Sequence, residues 1–268
     1  MLEYIKKSKN YTELCDVISC ENQNVSLTGI ISSCAASVLC ALSSDEKQGE
    51  KDKKFVYIAK NTLFASKAAE DLKFFAENPE DIIILNPYEY MLYDVETKST
   101  ELSAQRVDTL YKIVTGKWKI LVTTPVAAAQ WLPKPTYIEK SAIVIREGDI
   151  IEIDDLAKKL SSIRYTRLAE IDGKGQFAVR GDIVDVFPYG AENPIRIEFF
   201  DNEIDSVRVF DILSQRTIDK TKEVLILPDN ETYIWDWDHA DRVRKDILRD
   251  FQQKTSNLLQ LLMQKVYF

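Results

Sequence analysis

Residues 26–36 read S-L-T-G-I-I-S-S-C-A-A, an apolar pulse, a turn, and then small residues that suit a helix. How this turn is read decides whether the first half of the chain is a nucleotide-binding fold. A working phosphate loop needs G-x-x-x-x-G-K-[ST]: glycines let successive backbone N–H groups face the phosphates, the lysine reaches the β and γ oxygens, and the hydroxyl holds magnesium. Laid on that template, Ser26 takes the first glycine position, Ile31 the second, Ser32 the lysine position and Ser33 the hydroxyl position, with Thr28 and Gly29 between them. A β-branched isoleucine resists the φ > 0 conformation that glycine supplies, and Ser32 has no cation to offset triphosphate charge. The order strand, turn, helix remains while the charge has gone. The stretch reads as the relic of a phosphate loop, with an ordinary strand-to-helix turn as the plainer alternative.

Outward from this turn, residues 1–132 alternate helix-like and strand-like segments. Tyr11, Leu14, Val17 and Ile18 have helical spacing. Phe55 to Ala59, Ile82 to Leu85 and Ile120 to Thr124 are short, apolar and largely non-alternating, as buried parallel strands are. Asn61 or Thr62 suits the cap of a helix carrying Leu63, Phe64, Ala68, Leu72 and Phe75, and a second helix spans Glu101 to Val114. This is the rhythm of an α/β fold with a parallel sheet.

The stretch W-L-P-K-P at 131–135 predicts a stiff, non-helical connector. Beyond it the rhythm changes. After Ser141 to Ile145 and a helix from Asp154 to Ser161, short strands are expected at Gln176 to Val179, Asp182 to Phe187, Ile195 to Phe200 and Glu203 to Val209. Hairpin-sized turns at Gly181, 189–193 and Asp201-Asn202 make this an antiparallel meander. A last apolar strand falls at Val224 to Pro228, and from Val243 through Leu262 the spacing is helical to the final residue, as in a fragment of something longer. Three parts follow: 1–132, a compact α+β part at 133–214, and 215–268, a strand plus helical segment.

The chain has 268 residues, 45% of them hydrophobic, enough for a sizeable core. No run of about 18 apolar residues occurs, and the opening M-L-E-Y-I-K-K-S-K-N lacks the apolar region of a secretory signal, so the cytoplasm is the expected location and no membrane contact is expected. A net charge of −8 makes the chain as a whole a poor match to nucleic acid. Cys15, Cys20, Cys34 and Cys40 have no zinc or redox spacing, and His239 is the one histidine, which disfavours hydrolytic triads and histidine-rich metal sites. No catalytic and no metal-ligating residue is expected. Tyr88, Tyr90 and Tyr93 read as loop packing, Trp235 and Trp237 as a staple for the last helix, and 46–54 as a solvated loop.

The run G-Q-F-A-V-R-G-D-I-V-D-V-F-P-Y-G at 175–190, followed by N-P-I-R-I-E-F-F-D-N-E-I-D-S-V-R-V-F-D at 193–211 and S-Q-R-T at 214–217, closely resembles the UvrB-homology module of the bacterial transcription-repair coupling factor (Mfd) family. UvrB itself carries a version of the run. The degenerate loop at 26–34 resembles the coupling-factor form, whereas the UvrB loop is intact because UvrB hydrolyses ATP. UvrB also inserts a long tyrosine-rich hairpin after the third strand, while here N-P-Y-E-Y-M-L-Y-D at 86–94 leads within a few residues into the helix near Glu101.

The resemblance implies a degenerate RecA/P-loop-like parallel-sheet domain, an inserted α+β UvrA-interaction domain and a C-terminal helical segment. It implies an adaptor that recruits UvrA to begin nucleotide excision repair at stalled RNA polymerase. On this reading the chain itself is no enzyme and holds no cofactor. ATP and Mg would belong to motor domains elsewhere in the parent, as would the contacts to RNA polymerase and DNA. Later parent domains would mask the UvrA surface. The alternative is a UvrB-type nucleotide-dependent fragment that binds damaged DNA.

The family's basic UvrA contacts match Arg167 in R-Y-T-R-L and Arg180 in A-V-R-G-D, with Asp182 and Phe187 flanking the latter. Some UvrB sequences carry a second arginine two residues before R-G-D, where this chain has Ala178. Internal roles stand beside these readings. Phe187 suits a core position, Arg180 an ion pair with Asp182 or Asp201, and Arg196 with Glu198 a same-face pair along one strand.

Overall fold

A computed structural model describes residues 2–18, 24–30, 32–45, 53–88 and 100–231, with 245, 248 and 249. The chain divides into two units, 1–231 and 232–268, and all that follows concerns the first. Ile31, Tyr90, Tyr93, Trp235, Trp237, His239, Cys20 and most of the expected C-terminal helical segment lie outside the described residues.

The first part is helix and parallel sheet. In chain order it runs α1 (Leu2–Lys6), α2 (Lys9–Ile18), α3 (Ser32–Ser43), β1 (Phe55–Ile58), α4 (Thr62–Phe75), β2 (Ile82–Leu85), α5 (Thr100–Thr115), β3 (Ile120–Thr123), α6 (Pro125–Ala128) and α7 (Pro135–Ser141). The three strands pair in parallel in the order β1-β3-β2, in register Phe55↔Ile120↔Ile82. Parallel strands need crossovers, and α4 and α5 supply them. Asn61 caps α4 by accepting a hydrogen bond from the Phe64 N–H at 3.1 Å, and Thr124 caps α6 through Ala127 at 3.2 Å.

Small side chains let helices approach the sheet closely on one face, where Ala36, Cys40, Ala65, Ala69 and Leu72 pack on Ile82, Ile120 and Val122. Leu85, Leu110, Ala127 and Ile138 form the core of the other face. The connector at 131–135 is shorter than expected. Pro135 opens α7 at its first position, where a missing N–H costs nothing, and Ile138 joins the core beside α5.

The second part, antiparallel except where β5 pairs in parallel with β6, follows: β4 (Ile143–Arg146), α8 (Ile153–Ser162), β5 (Thr166–Arg167), β6 (Gln176–Arg180), β7 (Ile183–Phe187), β8 (Ile195–Phe200), β9 (Glu203–Phe210), β10 (Thr217–Thr221) and β11 (Glu223–Ile226). β10-β9-β8-β7-β6-β5 form a six-stranded sheet, and β4 pairs with β11 in a separate two-stranded one. Alternation fixes its faces: Phe177, Val184, Val186, Ile197, Phe199 and Val207 are buried on one side, while Arg196 and Glu198 of β8 turn to the other. Helix α8, with Leu156, Ala157 and Leu160 buried, runs against β5 and β6.

Candidate functional site

The relic loop is exposed along 24–30 and forms no strand there, with Gly29 at φ +76°. Val25 and Leu27, whose apolar pulse suggested a strand, are solvent-facing, so the strand, turn, helix order of a phosphate cradle is incomplete. Ser33 is exposed in the first turn of α3. Among the described residues no group of His, Cys, Asp and Glu has a metal-binding arrangement. None of their helices is long and apolar enough to cross a membrane.

The arginines draw attention instead to the six-stranded sheet. Gly181, at φ +58°, is the first central residue of the two-residue turn joining β6 to β7, the position where a type II′ hairpin demands glycine. That turn sets Arg180 opposite Ile183 and Ala178 opposite Asp185. The row then continues across the sheet as Asp185↔Arg196, Arg196↔Arg208 and Arg208↔Lys220. Beside it run Arg180↔Ile183, Ile183↔Glu198 and Glu198↔Ser206.

Asp185 is the hub. Its side chain is 1% exposed and accepts from Arg196 Nε at 2.7 Å and Arg196 Nη2 at 2.9 Å, and it also accepts from Arg180 Nη2. Hydrogen bonding to Asp185 holds the Arg196 guanidinium above the ordinary arginine value, against the burial that opposes its charge. Arg196 also donates to Gln215 Oε1 at 2.9 Å and lies 4.4 Å from the Phe210 ring centroid, a cation–π distance. Gln215 belongs to the S-Q-R-T stretch, which the sequence left without a role. Glu198 accepts from Ser206 Oγ and Arg208 Nη2, both at 2.7 Å.

These two rows hold four cations, Arg180, Arg196, Arg208 and Lys220, against two carboxylates, Asp185 and Glu198. Like charges directly opposite on neighbouring strands are unfavourable, so this surplus has a cost to the fold. Arg208 Nε is buried without a partner, and Lys220 is exposed. The face suits negative charge on another molecule.

The other expected residues fall around it. The Arg180 side chain keeps 44% of its surface in solvent while bound to Asp185, not to Asp182 or Asp201. Asp182 sits in the hairpin turn with its side chain exposed and its carbonyl accepting from Phe199 N–H at 2.8 Å. Arg167 is exposed on edge strand β5 opposite Phe177, three positions from Arg180 and on the opposite pleat. Phe187 is 8% exposed and shares the pleat of Asp185, packed with Ile171, Ala178 and Phe210 beside the ionic row. Arg196 and Glu198 do share a face, but each turns to a neighbouring strand.

A family model for the UvrB interaction domain matches residues 143–232, which include the whole six-stranded sheet and the β4–β11 pair. The chain is similar to the transcription-repair-coupling factor of Bacillus subtilis (strain 168), 30% identical over 231 residues, 86% of this chain and 19% of that protein. The coupling factor of Staphylococcus haemolyticus is 30% identical over 239 residues, 87% of this chain and 19% of its own length. That of Haemophilus influenzae is 32% identical over 152 residues, 57% and 13% respectively. The chain spans about a fifth or less of the length of these relatives. Residues 143–232 thus match the UvrB interaction domain, and most of the chain is similar to part of the transcription-repair-coupling factors.

Proposed function

We propose that this chain is an adaptor that recruits UvrA through the arginine-rich face of its six-stranded sheet. The observation that carries the reading is the surplus of arginine around Asp185, inside the segment matched by the UvrB interaction domain. Arginine suits the task because its planar fork binds carboxylates in two-pronged fashion and is more weakly hydrated than lysine. Asp185 orients Arg180 while leaving part of its guanidinium to a partner. Asp182 rims the contact at the hairpin tip, and Arg167 adds a cation at the β5 edge. Phe187 packs beside Asp185 on the same face.

The chain alone does not hydrolyse ATP on this reading: Ser32 stands where a phosphate loop has lysine, and the exposed turn before it lacks its strand. The translocase, with its ATP and Mg, and the contacts to RNA polymerase and DNA belong to other parts of the longer relatives. The nucleotide-type sheet serves as a platform for the interaction domain.

Calorimetry of the purified chain with UvrA tests the proposal, alongside Arg180→Glu with its fold checked by circular dichroism. Removing one partner of a desolvated charge contact costs about 2–5 kcal/mol, so micromolar binding should vanish in the variant. Unchanged binding by a folded Arg180→Glu would overturn the assignment of this face.

A further inference from the structure

The face that carries the ionic rows does not end with them. Along β8, Arg196, Glu198 and Phe200 project to one side at two-residue steps, and burial alternates accordingly. Phe199 is in the core while Phe200 is 78% exposed. Phe200 pairs with Glu203 across the β8–β9 turn, and Glu203 pairs in turn with Ile150 through an antiparallel bridge. Ile150 is 81% exposed. Its position is held by backbone bonds on both sides, Ile151 N–H to Asn202 O at 2.9 Å and Ile204 N–H to Asp149 O at 3.0 Å. Directly paired residues share a face, so Glu203 stands between two large apolar side chains that face water.

Beside Phe200 lies a cleft of about 540 Å³ lined by Glu147, Gly148, Glu203, Ile204, Asp205 and Lys222. Three carboxylates against one ammonium, with an aromatic ring at the wall, suit an organic cation carried on an apolar segment. This is the opposite sign from the Arg180 end. A single partner meeting both ends would carry acidic groups against the arginines and a Lys or Arg between apolar side chains against Phe200 and Ile150.

We infer that the docking face extends along β8 to the Phe200–Glu203–Ile150 row, and that the same partner proposed for Arg180 occupies it. The inference rests on that reading. Strand spacing puts Phe200 roughly 12 Å from Arg180, two strands over and two residues along. Stable interfaces bury about 800 Å² on each partner and concentrate their energy in a few aromatic and arginine anchors. The ionic rows supply the arginines; Phe200 supplies the aromatic anchor, with an adjoining cleft for the partner's cation.

The test uses the whole chain and UvrA in calorimetry, with Phe200→Ala, Glu203→Lys and Arg180→Glu compared at equal melting temperature. Phe200→Ala and Glu203→Lys should each weaken binding at least tenfold, and a Phe200→Leu variant should recover part of the loss. Full-strength binding by both Phe200→Ala and Glu203→Lys, with binding lost in Arg180→Glu, would overturn the extension and leave the proposed function standing. Loss in none of the three would sink both, as would failure of the unmodified chain to bind. Sedimentation distinguishes a second copy as occupant: self-association abolished by Phe200→Ala, with UvrA affinity unchanged, would also overturn the inference.

Discussion

Asp185 and Arg196 are direct register partners across β7 and β8, and the guanidinium places two adjacent nitrogens on the two oxygens of the carboxylate, at 2.7 and 2.9 Å. With Arg180 on the same carboxylate, removing the buried Asp185 leaves two arginines without their anion, Arg196 largely buried and Arg180 half-exposed. Asp185→Ala should therefore lower unfolding free energy by about 3–5 kcal/mol. Glu223→Ala, which breaks the half-exposed pair with Arg146, should cost less than about 1 kcal/mol. Urea denaturation measures both, and equal losses would mean that Asp185 is better solvated than its burial indicates.

Two glycines with positive φ should respond differently to alanine. Gly175 sits at φ +75° with the Tyr189 hydroxyl 2.1 Å from where a Cβ would lie, so Gly175→Ala must displace a ring that also stacks edge-on against Tyr165. Gly181, at φ +58°, has nothing within 4 Å of that position. Backbone strain alone makes Gly181→Ala cost about 1 kcal/mol, and Gly175→Ala should exceed it by at least as much again. Thermal melts of the two variants check the order.

Burial separates the thiols. Cys34 is exposed, whereas Cys40 is buried against Leu72 O and its thiol is pushed up to about 11. In a timed alkylation read by mass spectrometry, Cys34 should react well before Cys40, which should label only after unfolding. The folded thiol holds its proton more tightly than the ordinary value of 9.0, so its contribution to stability is complete below pH 9 and lost as pH rises toward 11. Comparing urea midpoints of the unmodified chain and Cys40→Ala across that window isolates the term.

Nucleotide should leave the fold indifferent. With serine at the lysine position and an exposed, strandless turn before α3, millimolar MgATP is expected to shift the melting temperature no more than equal ionic strength of a simple salt. A rise that grows logarithmically with ATP concentration would contradict this.

The meander was legible because I-R-I-E-F alternates apolar and polar residues and its turns carry Gly, Pro or Asp-Asn at hairpin spacing. Strand β10 was not: T-I-D-K-T is almost wholly exposed and has no apolar alternation, being held by backbone pairing with β9. The partners of Arg180 and Arg196 escaped the sequence for a related reason. Period tells which residues share a face, but cross-strand neighbours lie about 5 Å apart against about 7 Å along a strand, so register decides which acid wins. Asp182 is nearer to Arg180 in sequence, yet Asp185 is the acid that register brings to it in space. Phe200 was missed because two successive phenylalanines look alike until β8 shows which one faces the core.

The chain enters the antiparallel part at Ile143 and leaves it at Ile226, and these residues are partners in the β4–β11 ladder. Tension applied to the flanking chain would therefore load this short ladder end-on and open it one rung at a time, from Ile143↔Ile226 toward Arg146↔Glu223. Unzipping breaks bonds singly, whereas the six-stranded sheet behind it shares strain over many. Under a pulling force the two-stranded joint would yield first, acting as a mechanical fuse that lengthens the tether while the arginine face keeps its shape.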